Sequence, residues 1–333
     1  RDAGGLRGAL ARLALEPPLG SWLRAPFRQA QAALLGRRTR LRFVLALGSP
    51  GAAAMPPEVC LWLRIVLGCR VFKGLVLAEV GGFAALGEAP SFGEPIEAFA
   101  VGRALPGVCV DFAPQRLEDL GAPDRSWSGA GTVVISGPFA VSRQRVDTLR
   151  SPCVRRDDDS DAEVRLGVVG LQRGSEVYVL GRSGSLELSL GGRQVLCDAL
   201  EQLLVRHSTP WLVQLFLTAR RSGGVVGIGV VRLEELWRLA RHRRIPVKCN
   251  AEALCRSAEV RAVCLGELQR SAAALGLAPC ERPRALRLEF EPFSQERDLQ
   301  TPALQLRRDR LKACFGREIA ALFAELGDAG GAG

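Results

Sequence analysis

The sequence has few of the features that mark membrane-spanning, zinc-binding or disulfide-linked proteins. It contains no run of about eighteen apolar residues, which is the length a transmembrane helix needs. Only 2 histidines accompany the 10 cysteines, and the cysteines form no C-x-x-C pair. We therefore expect no transmembrane segment, no zinc site and no disulfide framework, and we expect reduced thiols in a cytoplasmic protein.

Lysine is also scarce, because Lys73, Lys248 and Lys312 are the only lysines and arginine supplies nearly all of the formal net charge of +10. The arginines are scattered among alanine, glycine and leucine, and aromatic residues make up only 6% of the chain. Nucleic-acid-binding surfaces interleave basic and aromatic residues, so we expect no nucleic-acid partner. A compositional bias towards arginine explains the charge, and attraction to an anionic membrane surface is the alternative.

The rest of the composition is that of a globular protein, with 47% hydrophobic and 24% charged residues. A chain of 333 residues has the length for two or three domains. It does not begin with methionine, and its first residues, Arg1 to Gly5, have no signal or transit character. We therefore expect the chain to be a piece of a longer protein.

One stretch has the pattern of a strand–helix–strand crossover. Apolar runs over 41–47 and 69–73 are typical of buried strands. Between them, Pro56 and Pro57 open a helix whose apolar residues favour one side, and Gly68 ends it. Right-handed crossovers set their two strands side by side in parallel, so both strands should end at the same edge of a sheet.

The loops that follow these two strands form the predicted ligand site. The first loop, 48–54, consists almost wholly of small residues, and we expect the second strand to break at Gly74 into a loop that ends on Glu79. Ligands of open α/β sheets bind at the carboxyl ends of the strands. A flat ring would fit against the first loop, and a magnesium-bound phosphate would suit the Glu79 carboxylate. An ordinary pair of surface loops with a solvated Glu79 is the alternative.

We predict three domains, namely 1–107, 108–181 and 182–333. The first contains the crossover, and short strands without long helices indicate a small β subdomain in the second. Glycines around Arg182 indicate a flexible joint, and a plain hairpin turn is the alternative. The third should be an α+β lobe that ends in a helix whose apolar stripe we expect to pack in the core. That stripe consists of Leu311, Cys314, Phe315, Ile319, Leu322, Phe323 and Leu326.

Taken in order, these pieces resemble the C-terminal part of a long-chain acyl-CoA synthetase of the adenylate-forming (AMP-binding) superfamily. The loop at 51–59 is similar to the family's adenine loop, and 73–79 lies where the family has Q-G-Y-G-L-T-E. The segments 209–216, 291–294 and 301–308 resemble S-P-Y-V-A-Q-V-F, E-P-F-S and T-P-T-L-K-L-K-R. The fold implied is α/β, with a partial parallel-sheet lobe of the adenylate-forming fold, a small β subdomain and a hinged α+β C-terminal lobe.

The activity implied by the resemblance has two half-reactions. A long-chain fatty acid and Mg-ATP give an acyl-adenylate and diphosphate, and coenzyme A then releases acyl-CoA and AMP. The resemblance implies that Glu79 holds Mg²⁺ and that Gly191 and Gly192 pass coenzyme A. It also implies a nucleotide site made of Ala52, Ala53, Gly74, Leu75 and Arg182. The location implied is cytoplasmic, in solution or at the cytosolic face of the endoplasmic reticulum or another membrane.

Several positions depart from the family's pattern. The family's catalytic lysine is Gln305 here, its adenine-stacking tyrosine is Leu75, and its hinge aspartate falls at Gly181. The phosphate loop that the family carries upstream has no counterpart in this sequence. We therefore expect an impaired ligase, or alternatively a non-catalytic relative that keeps the fold as a nucleotide-binding, acyl-binding or interaction module. A basic peripheral membrane protein is the third hypothesis and has only the net charge in its favour.

Overall fold

The parallel crossover expected near the start of the chain is present in the structure, a computed structural model. The structure describes residues 33, 36, 41–48, 57–77, 82–89, 99–113, 130–136, 154–155, 163–207, 210–246, 250–302 and 304–327. Strand β1 (Phe43–Gly48), helix α1 (Pro57–Leu67) and strand β2 (Arg70–Leu77) follow one another. β1 and β2 pair in parallel, from Phe43 opposite Arg70 to Gly48 opposite Leu75.

The break predicted at Gly74 is wrong, because β2 continues through this glycine to Leu77. The next strand, β3 (Gly82–Glu88), pairs antiparallel with β2 and sets Leu86 opposite Gly74. A side chain at Gly74 would meet the ring of Phe83 at 3.0 Å. Strand pairing therefore overrides the weak intrinsic strand preference of glycine, whose missing side chain makes room for Phe83.

The described chain divides into two compact units, the first within Arg1–Ala113 and Gly131–Leu180 and the second within Pro114–Ala130 and Gly181–Gly333. The sheet of the first unit has the strand order β1-β2-β3-β4-β9-β8-β6-β5, with β7 paired to β8. Its further strands are β4 (Ala100–Ala104), β5 (Cys109–Ala113), β6 (Gly131–Ser136), β7 (Val154–Arg155), β8 (Glu163–Arg173) and β9 (Glu176–Arg182), of which β9 crosses into the second unit.

The predicted boundary between 107 and 108 lies inside the first unit, where β4 and β9 pair antiparallel and continue the path of strands. The predicted boundary at 181/182 lies next to the boundary between the units, which follows Leu180. Two glycines with positive φ angles help to shape this sheet, one inside β4 and one in the turn that follows it. Gly102 has a φ of 110° and Gly107 a φ of 83°, a region that side chains disfavour. The division of the whole chain into three domains stays a prediction.

The second unit contains a three-stranded sheet with helices on both faces. Strand β12 (Leu212–Arg220) pairs antiparallel with β13 (Gly224–Val231), which pairs in parallel with β14 (Pro283–Glu289). The hairpin β10 (Leu186–Leu188) and β11 (Gln194–Leu196) precedes this sheet. Its helices are α2 (Cys197–His207), α3 (Leu233–His242), α4 (Ala251–Arg256), α5 (Ala258–Ala274), α6 (Arg308–Cys314) and α7 (Gly316–Glu325).

The core of this unit follows the alternation of strand side chains between two faces. On β12, Leu215 and Leu217 pack with residues of α2, α3, α4 and α5. Phe216 points to the other face, where it packs with residues of α6 and α7. The stripe predicted to pack in the core does so at Leu311, Phe315, Ile319, Leu322 and Phe323, which are all buried. Cys314 is exposed, so its place in the stripe was wrong.

Candidate functional site

A buried cluster of charged side chains lies in the second unit. Helix α2 carries Asp198 and Glu201 three residues apart, a spacing that puts both carboxylates on one helical face. Glu187 comes from β10, and Arg308 is the first residue of α6. Their side chains are exposed by only 7–10%. The fold therefore buries three carboxylates and one guanidinium next to one another.

Arg308 is the centre of this cluster. Its Nη1 atom donates to Glu201 Oε1 at 2.8 Å and to Asp198 Oδ1 at 3.2 Å. Its Nη2 atom lies 3.4 Å from Glu187 Oε1 and donates to the backbone carbonyl of Leu217. The guanidinium also stands over the ring of Phe216, with Cζ 4.9 Å from the ring centroid. One side chain thus joins β10, α2, β12 and α6.

The carboxylates have further donors. Leu217 N–H donates to Glu201 Oε1 at 2.7 Å. The Thr218 hydroxyl donates to Glu187 Oε2 at 2.7 Å, and Lys312 Nζ lies 2.8 Å from Glu187 Oε1. Buried charges are tolerated when they are paired and hydrogen-bonded in this way.

Arg182, predicted to reach ribose or phosphate, belongs to the same network. Its Nε atom donates to Asp198 Oδ2 at 2.8 Å and its Nη2 atom to Asp198 Oδ1 at 3.1 Å, a two-pronged pair. The residue before it, Gly181, lies so close to Asp198 that an added Cβ would be 3.0 Å from Asp198 Cβ. With Arg182 and Lys312, the cluster holds three cations and three carboxylates and is neutral in its fully ionised form. Its contact with a nucleotide stays a prediction.

The three carboxylates of the cluster differ in the direction of their pKa shifts. Burial raises the pKa of Glu201 to about 7, although Arg308 acts in the opposite direction. Burial also acts to raise the pKa of Asp198, but hydrogen bonds and the charge of Arg182 outweigh it, so that pKa lies below its ordinary value. The pKa of Glu187 is lowered too, because the hydrogen bond from Lys312 and other donors outweigh its burial. Glu201 is therefore the member of the cluster that titrates near neutral pH.

The loop before Arg308 carries Gln305, which the sequence resemblance places where the family has its catalytic lysine. Gln300 and Leu306 form an antiparallel bridge that closes this loop. Thr301 N–H donates to Gln305 O at 2.8 Å, and Gln305 N–H donates to the Thr301 hydroxyl at 3.2 Å. Leu304, at the tip, is 69% exposed. The backbone around Gln305 is thus fixed at one end by a bridge and at the other by the buried Arg308, while its uncharged amide supplies no cation.

The other predicted site residues fall into two groups. Ala52, Ala53 and Glu79 lie outside the described residues. Gly74 and Leu75 lie inside β2, where Leu75 is 1% exposed and packs in the core of the first unit. Gly74 and Leu75 as placed offer no open surface to an adenine ring, so these described residues do not fit a nucleotide and we derive no step through ATP.

Gly191 and Gly192, which we expect to leave room for coenzyme A, lie in a tight turn at Leu190–Gly192. Their φ angles are 71° and 76°. A Cβ added at Gly191 would meet nothing within 4 Å. Glycine lets a ligand approach the backbone closely, and the contact of this turn with coenzyme A stays a prediction.

Metal and cysteine chemistry have little support in the part of the chain that the structure describes. Among those residues, no group of three or more His, Cys, Asp or Glu side chains could hold a metal ion. The described cysteines, among them the buried Cys197 and Cys264 and the exposed Cys109, are free thiols. No helix among the described residues is both long and apolar enough to cross a membrane.

Sequence reasoning missed the ionic cluster. The available signal was on α2, where Glu201 lies four residues after Cys197 and three before Leu204, on the apolar face of the helix. Charged residues are rarely buried without a partner, so this pattern calls for a cation. Arg308 lies 107 positions further along the chain, and only the fold shows that it is that cation.

Comparisons with known proteins agree with this fold. No family model matches the chain. The rat (Rattus norvegicus) long-chain-fatty-acid–CoA ligase 6 is 26% identical over 311 residues, which cover 91% of this chain and 41% of the relative. The human (Homo sapiens) long-chain-fatty-acid–CoA ligase 1 is 24% identical over 308 residues, with 92% and 41% covered. The chain therefore spans about two-fifths of the length of the curated relatives it matches.

A solved structure gives the same fold. The A domain of carboxylic acid reductase from Segniliparus rugosus, in complex with AMP and a co-purified carboxylic acid, superimposes with a TM-score of 0.60 at 20% identity, covering 93% of this chain and 42% of that one. That likeness shows the architecture alone. The chain is similar in sequence to long-chain acyl-CoA synthetases over about nine-tenths of its length, and it has the fold of an adenylation domain.

Proposed function

We propose that the chain is a long-chain fatty acid–CoA ligase-like protein in which adenylation is impaired. The relatives are named as long-chain-fatty-acid–CoA ligases, which supports the reaction class of ATP, fatty acid and coenzyme A giving acyl-CoA, AMP and diphosphate. Long-chain fatty acid and coenzyme A are accordingly the proposed substrates. The Leu190–Gly192 turn is the proposed passage for the pantetheine arm.

We infer the impaired adenylation from Gln305, whose side chain is uncharged and whose loop is closed by a backbone bridge. Acyl transfer develops negative charge on oxygen, and removing one donor to such an oxygen costs about 10²–10³ in rate. The bridge between Gln300 and Leu306 closes this loop, and the uncharged Gln305 amide offers no cation to such an oxygen.

Two further positions indicate that Gln305→Lys alone would not restore adenylation. Leu75 stands where the family stacks a tyrosine on adenine, and it is buried in the sheet core. Gly181 stands where the family has its hinge aspartate. A side chain there would lie 3.0 Å from Asp198 Cβ, and an aspartate would add a like charge beside that carboxylate. A hinge aspartate at position 181 would therefore require Asp198 to shift and would disfavour the ionised cluster.

The test is palmitate-dependent exchange of diphosphate into ATP by the full 333-residue chain. We expect no exchange above background for this chain or for its Gln305→Lys variant, with the rat ligase assayed alongside as the positive control. Exchange clearly above background in the unmodified chain would contradict the proposal. Recovery in Gln305→Lys alone would show that the lysine position is the only defect.

A second candidate is a non-catalytic relative that keeps the fold as a nucleotide-binding, acyl-binding or interaction module. The intact ionic cluster beside an altered catalytic position favours it, since a stable fold does not require the chemistry. Calorimetric titration with AMP, ATP and coenzyme A separates the candidates. We expect weak or no nucleotide binding, and tight AMP binding would instead favour the ligase.

A further inference from the structure

The end of helix α3 carries four consecutive basic side chains. Arg241 and His242 form its last turn, Arg243 is the capping residue, and Arg244 follows. All four are exposed. We call them the 241–244 patch. Cations near a helix C-terminus stabilise the macrodipole, but the effect is confined to the last turn and is satisfied by one or two of them. The dipole alone therefore leaves part of this charge unexplained.

The backbone at Arg244 gives an independent reason to look for a role. Arg244 has a φ of 55°, in the left-handed region. Its N–H donates to Arg241 O, and Ile245 N–H donates to Ala240 O, which is the pattern of a helix end that normally takes glycine. The other described helix ends with a left-handed residue all use glycine there. These residues are Gly68 (64°), Gly276 (69°) and Gly327 (80°).

α5 makes the comparison direct, because it ends with the same two hydrogen bonds. There Gly276 N–H donates to Ala273 O, and Leu277 N–H donates to Ala272 O. An L side chain in the left-handed region is strained relative to glycine. At the end of α3 the chain therefore holds a charged side chain in a conformation that glycine adopts without strain. Strained positions of this kind concentrate at functional sites.

Nearby carboxylates leave much of the charge unneutralised. Arg238, one turn before the patch, pairs with Glu235 at 2.9 Å. Glu267 of α5 lies 3.8 Å from Arg243 and 3.9 Å from Arg270. Glu267 also accepts a hydrogen bond from buried Trp211 at 2.9 Å, so it is fixed in place. Arg241 and Arg244 take part in none of these three pairs.

We propose that the 241–244 patch is a docking surface for an anionic lipid bilayer. The patch is the exposed end of a helix, with four basic side chains open to solvent, so it suits an extended surface better than a small molecule. Guanidinium groups match phosphate oxygens geometrically. Trp237, on the same helix, is partly buried and packs against the core, so it is not free to stack on bases as nucleic-acid recognition would require. The inference is independent of the proposed ligase activity.

The experiment measures binding of the full chain to phosphatidylcholine vesicles with and without phosphatidylserine, at low and at physiological ionic strength. Two variants test the key residue, namely Arg244→Gly, which removes both charge and strain, and Arg244→Gln, which removes the charge alone. Arg317→Gln is the matched control, because Arg317 is an exposed arginine on α7, away from the patch in sequence and in structure.

We expect binding that requires phosphatidylserine, falls with salt, and weakens about fivefold in both Arg244 variants, which corresponds to ~1 kcal/mol for each basic residue near the surface. Arg244→Gly should also raise the melting temperature by a few degrees, because the strain is relieved. A purely structural role for Arg244 would not couple higher stability to weaker binding. Arg317→Gln should bind like the unmodified chain.

Three results would overturn the inference. The first is equal binding to vesicles with and without phosphatidylserine. The second is an equal loss in Arg317→Gln and the Arg244 variants, which would mean that net charge alone is responsible. The third is displacement from vesicles by single-stranded DNA at equal charge concentration together with tighter binding to the DNA, which would make nucleic acid the partner.

Discussion

Replacing Arg308 tests the idea that the buried ionic cluster holds the second unit together. Arg308→Met keeps an unbranched side chain in place of the aliphatic part of the arginine but removes the guanidinium that stands over Phe216. Asp198, Glu201 and Glu187 then remain in a site where their side chains are exposed by 10% or less. Only Arg182 and Lys312 are left to balance them, and Lys312 is itself 48% exposed.

The expected cost follows from breaking a buried pair. Removing one partner from such a pair destabilises a protein by about 3–5 kcal/mol, because a buried charge is left uncompensated. The carbonyl of Leu217 also loses its donor. With a urea dependence of about 1–3 kcal/mol per molar, the unfolding midpoint of this unit should fall by at least about 1 M. Trp211, which is buried in the unit, reports the transition by its fluorescence.

The pH dependence makes the prediction specific. Because the pKa of Glu201 is raised to about 7, this carboxyl is ionised at about pH 8 and protonated at about pH 5.5. At the lower pH the Arg308→Met variant has two carboxylates and two cations, so its loss of stability should shrink.

Arg310→Met is the matched control. Arg310 lies two residues further along and pairs with Asp298 at 3.0 Å, but both side chains are more than half exposed. Exposed pairs of this kind contribute about 0–1 kcal/mol, so this variant should differ little from the unmodified chain. The reasoning is refuted if the two variants lose the same stability, or if the loss in Arg308→Met is the same at both pH values.

Two further predictions concern single positions. Because the pKa of Glu201 is raised, the folded state binds this proton more tightly than the unfolded state does, and it loses stability as pH rises. The unfolding free energy of the unmodified chain should therefore decline by a few kcal/mol between about pH 4.5 and 7. Glu201→Gln should remove this decline. Urea titrations at several pH values check this, and an unchanged pH profile would contradict it. Gly102→Ala should prevent the first unit from folding, because the added Cβ would lie 2.2 Å from Gly87 N and from the Leu86 carbonyl carbon. Gly107→Ala, with a φ of 83° but open space around it, should cost only about 1 kcal/mol, and similar circular dichroism spectra for the two alanine variants would show that the predicted clash is not real.

The parts of the fold that could be predicted are those with a regular apolar pattern. The crossover of β1, α1 and β2 was visible because its strands are short apolar runs separated by a helix with proline at its start. The buried face of α6 and α7 was visible because Leu311, Ile319 and Leu322 recur at helical spacing. These patterns are local, and tertiary contacts strengthen them.

The features that could not be predicted depend on contacts between distant segments. Gly74 has the character of a strand end, and only the pairing with β3 shows that the strand continues. Asp198 and Glu201 lie on one face of α2, and the place of Glu201 among apolar residues indicates burial but does not identify a partner. Their burial depends on Arg308, which lies 110 and 107 positions further along the chain. No local pattern carries that information.

In the segment 301–308, the side chains at positions 305 and 308 have different roles. Arg308 and Gln305 lie in one segment that resembles the family's terminal signature, three residues apart. The guanidinium at 308 is 7% exposed and joins four elements of the unit. Losing it would leave three buried carboxylates without their main partner, so folding requires it. The side chain at 305 is only partly buried, and a lysine there would serve the reaction rather than the core. Gln305→Lys changes the position that the proposed reaction would use and leaves Arg308 in place. The exchange assay on this variant therefore bears on the proposal more directly than any measurement of stability.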